Sequence, residues 1–236
     1  MLIEVCCTDI QSVRAAKEGG ADRVELCVDI EEDGLTPPAE LIRQAVQTGL
    51  KVHVLVRPRA GNFVYDEAEA QTMISQIREA RENGAHGVVV GALREDGTLD
   101  KPLCQRMAEA AKGMSLTFHR AFDVCQAPLQ TFDDIATMGF DRLLTSGQAA
   151  KAIDGTELIK QLVERSHRLQ AKHPEGKRII VMAGSGVSPH NASQIVKETG
   201  VTEIHGTFRE IINGQLITTA AQVKAAKDSL TWSMQQ

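Results

Sequence analysis

Two short stretches, Glu4-Val5-Cys6 and Glu25-Leu26-Cys27, each place a carboxylate and a thiol two residues apart. On a β-strand residues two apart share a face, so Glu4 would point with Cys6 and Glu25 with Cys27. A thiol pair offered by neighbouring strands could hold one soft metal ion, because thiolates suit Cu(I). A free cysteine is equally at home as a small buried hydrophobe. Glu4 and Glu25 need partners, since a carboxylate inside an apolar strand is costly unless it is paired. Arg57, Arg59 and Arg120 are the cations that suggest themselves. A structural ion-pair ring and general acid/base chemistry account for the two glutamates equally well.

A third stretch, Leu116-Thr117-Phe118-His119-Arg120-Ala121-Phe122-Asp123, gathers a histidine, an arginine and an aspartate where a β-type run ends. His119 could act there as a base with Asp123 as its orienting group. Backbone groups of a tight turn could satisfy both side chains instead. Ser146-Gly147 and Gly184-Ser185-Gly186 follow two later apolar runs. Glycine-rich turns that lead into helices offer backbone N–H groups to an anion, although glycine also simply permits a sharp turn. With Arg57, Arg59 and Arg120, these loops would hold a phosphorylated or carboxylated molecule. His205 reads as a satisfied core residue. His86, His167, His173 and His190 read as surface or structural, because they lack metal-ligand spacing. Cys7 and Cys104 read as structural, and Cys125 as a loop residue that could be exposed, with nothing to mark it as reactive.

The elements that must position these groups repeat. A helical run, a glycine and a short β-branched or aliphatic run recur at Gly20, Gly49, Gly84, Gly139 and Gly200. Glycine just past a helix closes its last turn, and short apolar runs without clean alternation suit strands buried on both faces. Adding Leu2–Cys6, Leu116–His119 and Arg178–Met182 gives eight strand candidates. Helices are expected near Asp9–Glu18, Pro37–Thr48, Asp66–Asn83, Asp100–Ala111, Pro128–Thr137, Thr156–Lys172, Ser188–Glu198 and Thr219–Ser229. Thr36, Asp66 and Ser188 stand where caps belong. Eight such units fit one α/β domain over residues 1–236, a TIM (β/α)8 barrel, with an open doubly wound sheet as the competing topology. In such barrels the strands deliver their C-terminal ends, and the active site, to one rim.

Composition narrows the function. The net charge of -5 gives no pull toward nucleic acid or acidic membranes, and 3% aromatics argue against base-stacking platforms. Met1-Leu2-Ile3-Glu4 has no basic region followed by a long apolar run, so no signal peptide is expected, and no stretch is long enough to span a membrane. Five cysteines, an odd count in a chain too large to need staples, suggest free thiols and a reducing compartment.

Several motifs are specific enough to name a family. Glu4-Val5-Cys6-Cys7, Gly19-Gly20-Ala21-Asp22-Arg23-Val24-Glu25-Leu26-Cys27 and Gly34-Leu35-Thr36-Pro37 resemble the CutC copper-homeostasis family. So do Arg57-Pro58-Arg59-Ala60-Gly61-Asn62-Phe63-Val64-Tyr65, Thr117–Asp123 and Leu144-Thr145-Ser146-Gly147, in register to about Gly186. Ile204-His205-Gly206-Thr207-Phe208-Arg209 departs from the serine-containing end associated with this strand. The resemblance implies a TIM barrel, a cytoplasmic location, a homo-oligomer (a dimer first) and a link to copper, with Cys6 and Cys27 as Cu(I) ligands. The surplus polar groups, Glu4, Glu25, His119, Arg120 and two glycine loops, point alternatively to an isomerase, lyase or hydrolase for a small anionic metabolite.

Overall fold

The computed structural model describes residues 1–172 and 175–233; His173 lies outside them. The chain runs β1 (Leu2–Cys7), α1 (Ile10–Glu18), β2 (Arg23–Leu26), α2 (Ala39–Gln47), β3 (Lys51–Leu55), α3 (Glu67–Glu82), β4 (Gly87–Val90) and α4 (Lys101–Ala110). It continues through β5 (Ser115–Phe118), α5 (Pro128–Thr137), β6 (Arg142–Thr145), α6 (Thr156–Lys172), β7 (Ile180–Ala183), α7 (Ala192–Thr199) and β8 (Glu203–Gly206). A hairpin of β9 (Arg209–Ile212) and β10 (Gln215–Thr218) precedes α8 (Ala220–Ser233).

Strands β1 to β8 are parallel and in chain order, and β8 pairs back onto β1 with Glu4 opposite His205. That pairing closes the sheet and removes the open-sheet topology. The odd residues of β1, Ile3, Val5 and Cys7, join Val24, Leu26, Val52, Val54, Val88 and Val90 in the apolar layer beneath the helices. The even residues face the barrel interior. Cys6, Cys27, Leu55 and Val89 form a small apolar cluster of their own there.

Local signals placed most helices well. Asp66 accepts from the Glu69 N–H and Glu69 reciprocates, a capping box at the start of α3. Thr36 is no cap: α2 begins at Ala39 after Pro38, and the Thr36 hydroxyl donates to Gln76 and accepts from the Arg57 N–H at 2.8 Å. Ser188 likewise stands before a turn, and α7 starts later, at Ala192. The β9–β10 hairpin was not expected. Asn213-Gly214, both at positive φ, is the turn signal that marks it.

Candidate functional site

The interior is built from strand parity. Register puts Glu4 of β1 opposite Arg23 of β2, and Arg23 Nε donates to Glu4 Oε2. Arg23 Nη2 reaches Glu203 Oε2 at 2.7 Å, and Arg142 Nε meets the same oxygen at 2.8 Å. Two carboxylates and two guanidinium groups thus lie together inside the barrel. His205 Nδ1 lies 2.8 Å from Glu4 Oε1. Burial opposes ionisation of Glu4, but the Arg23 charge and the His205 contacts hold its carboxyl well below the usual range. The expected partners Arg57, Arg59 and Arg120 are therefore replaced by Arg23 and His205, because parallel register sets Arg23 beside Glu4. Arg23 and Glu203 were legible by the same rule: each stands two residues before a group that faces inward.

Above this network lies the softer cluster. The Sγ atoms of Cys6 and Cys27 are 3.6 Å apart. The Cys27 contact and then burial push the Cys6 thiol above its ordinary value. His205 Nε2 is 3.5 Å from Glu25 Oε2. Cys6 Sγ, a Glu25 oxygen and a His205 nitrogen all lie within 4.8 Å of one another. Burial raises the Glu25 carboxyl, with His205 acting against it. Burial would lower His205, but Glu25 and Glu4 outweigh it and raise the imidazole. Cys6, Glu25 and His205 keep 6%, 5% and 8% exposure. His205 is thus a bridge between two carboxylates, a role its sequence context does not reveal.

At the far side of the mouth, His119 is wedged over Gly91, where a Cβ would come within 2.5 Å of the ring. The Phe63 ring covers it at 4.9 Å between centroids. The Ala121 N–H donates to His119 Nδ1 at 3.1 Å, so the neutral ring carries its proton on Nε2, which has no partner. Burial, with Arg57 adding to it, lowers this histidine to about 3.

Asp123 does not orient His119. Its carboxylate accepts from the Ser146 N–H at 3.0 Å, the Ser146 hydroxyl at 2.9 Å, the Gln148 N–H at 3.2 Å and Arg120 Nε at 2.8 Å. The backbone cradle after β6 is thus filled from within by a side chain from the loop after β5. Gly147, at φ 71°, passes so close to Gly155 that a Cβ would lie 2.2 Å from its carbonyl oxygen.

The remaining groups are distributed as follows. Arg57 donates to the carbonyls of Glu32, Gly34 and Gly61, tying the loops after β2 and β3 together. Arg59 pairs with Glu69 and donates to the Val64 carbonyl at 2.6 Å. The Arg120 side chain is 41% exposed and reaches the Ser146 hydroxyl at 3.3 Å. Ser185 donates to the Ala150 carbonyl, Gly186 packs on Lys151, and Gly184 packs on Leu144 and His205. Cys125 is buried rather than exposed, because Gln148 folds over it and donates to its carbonyl at 2.7 Å.

Fold and site together define a (β/α)8 barrel with a mixed thiol, imidazole and carboxylate centre at the C-terminal ends of its strands. The chain belongs to the CutC family, whose model matches residues 1–210, well past the last motif that resembles it. A CutC family protein of Bacteroides fragilis is 46% identical over 213 residues, covering 89% of this chain and 81% of that protein. The copper homeostasis protein cutC homolog of Homo sapiens is 41% identical, covering 88% of this chain and 73% of its own. A CutC protein of Streptococcus agalactiae has a solved structure with TM-score 0.80 and 32% identity, covering 88% of this chain and 98% of that one.

Proposed function

We propose that this protein binds copper as Cu(I) through Cys6 and Cys27 and serves copper homeostasis. The observation that carries the reading is the pair of thiols 3.6 Å apart on adjacent strands, walled by Leu55 and Val89. Soft sulfur donors in an apolar wall suit Cu(I), and the human relative is itself named for copper homeostasis. The thiol of Cys6 is raised, so each Cu(I) bound has to displace a proton and affinity weakens as pH falls. Competition against a Cu(I) chelator tests this. Cys6→Ser with Cys27→Ser abolishes binding; unchanged affinity in that variant removes the site. The free cysteines fit a reducing cytoplasm, and a homodimer is the assembly we expect in sedimentation.

A second reading, a barrel enzyme for a small anionic metabolite, is favoured by one observation: the buried Nε2–H of His119 has no partner. His119 would give that proton as a hydrogen bond, while the half-exposed Arg120 guanidinium meets the anion; Ser146 is already taken by Asp123. A thermal-shift titration with inorganic phosphate tests it. Saturation at about a hundred times the dissociation constant should stabilise by about 2.7 kcal/mol, and no shift rules it out for phosphate.

A further inference from the structure

The thiol of Cys6 faces two sets of donors. On one side is Cys27. On the other are Glu25 and His205, whose ligand atoms lie with Cys6 Sγ inside a 4.8 Å triangle. We infer that Cys6, Glu25 and His205 form a second metal site, for a divalent ion of the zinc type, which shares Cys6 with the dithiol. This goes beyond the copper reading and survives its failure, because Cys27 plays no part in it.

The donor chemistry separates the two sites. A thiolate, an imidazole and a carboxylate are all zinc ligands, whereas a carboxylate is a hard oxygen donor and suits Cu(I) poorly. Around a tetrahedral ion, donor pairs lie about 3.2–3.8 Å apart. His205 Nε2 and Glu25 Oε2 already stand at 3.5 Å, so binding asks for a small inward shift of the thiol.

The surroundings prepare the histidine. Glu4 holds Nδ1 at 2.8 Å, which leaves Nε2 toward Glu25. A carboxylate behind a ligating imidazole is the usual arrangement for fixing its orientation. Glu4 is itself paired with Arg23, and Glu203 is shared by Arg23 and Arg142. The two guanidinium groups offset those two carboxylates, so Glu25, whose charged neighbour is His205, is the carboxylate left facing the centre, where a cation would meet it. The three donors each retain slight exposure at the barrel mouth, and three protein ligands leave a fourth position for water.

The experiment is titration of the reduced apoprotein with Zn(II) against a chromophoric chelator, with Co(II) as a spectroscopic probe and Cu(I) competition in parallel. Wild-type protein and Cys27→Ser should bind one Zn(II) per chain with similar affinity, and the cobalt form of each should show a thiolate charge-transfer band. Cys6→Ser should lose that band. His205→Gln and Glu25→Gln should weaken zinc by more than the roughly 10- to 100-fold that loss of an outer hydrogen-bond partner costs. His205→Gln keeps an N–H donor for Glu4, so its fold is retained where His205→Ala would leave that carboxylate short of a partner. Copper should respond the opposite way, falling in Cys27→Ser and persisting in His205→Gln. Zinc binding that is unaffected in His205→Gln, or lost equally in Cys27→Ser and Cys6→Ser, overturns the second site. Zinc kept in Cys27→Ser but lost in Cys6→Ser and weakened in His205→Gln upholds it, whether or not copper binds.

Discussion

His53 and His119 are buried imidazoles held to about 3, in both cases chiefly by burial. An unfolded histidine titrates near 6.5. Between those values the unfolded chain binds protons that the folded one refuses, so stability falls as pH drops through that window. Each histidine should cost about 2 kcal/mol by pH 5. His205 works in the other direction: its raised value gives stability that is fully present below 6.5 and is lost as pH rises through the folded value. Over the step from pH 7 to pH 5 it therefore gains stability and offsets part of the loss from the other two histidines. Urea denaturation at pH 7 and pH 5 should show the loss, and His119→Gln should make the pH dependence shallower. A His119 ring resonance that titrates with a midpoint above 5 would contradict this account.

The loop after β6 holds one of the tight fits of the fold. The turn after β6 works because Asp123 fills its N–H donors and because Gly147 slides past Gly155 at positive φ. A side chain at Gly147 would meet both a conformational and a steric penalty. Gly113 also has positive φ but nothing lies within 4 Å of its Cβ position. Gly113→Ala should therefore cost only about 1–2 kcal/mol, the left-handed backbone penalty. Gly147→Ala should cost clearly more, in the range of about 3 kcal/mol or above that marks strain at a special backbone position. Thermal melts of the two variants give the comparison, and equal losses would show that the close approach to Gly155 is unimportant.

Across the whole molecule the barrel closes by β8 onto β1, and the helical ring closes by α8 packing on α1 and α7. The β9–β10 hairpin joins β8 to α8, packs on α1 and leaves apolar side chains exposed. Ile211 and Leu216 face each other across it, 74% and 64% exposed. Side chains so far into solvent contribute little to the folded chain. Ile211→Ser with Leu216→Ser should leave unfolding free energy within about 0.5 kcal/mol of wild type. A larger loss in urea melts would mean that the pair is covered in solution. No helix among the described residues is long and apolar enough to cross a membrane.

The recurrence of helical run, glycine and short apolar run marks the eight strand-helix units, and two-residue parity puts Glu4 with Cys6 and Glu25 with Cys27, because both depend only on neighbours along the chain. The CutC motifs were legible for the same reason: they are local runs. Closure of the sheet was not, since it rests on Glu4 meeting His205 across most of the polypeptide. Nor was the choice of partners. Sequence proximity joined His119 to Asp123, but the turn aimed Asp123 at the loop after β6 and left the imidazole to Ala121. Charge type made Arg57 and Arg120 partners for Glu4, while inter-strand register gave that place to Arg23. Which residues face inward is a property of each strand; which of them touch is decided only by how the strands are staggered around the barrel.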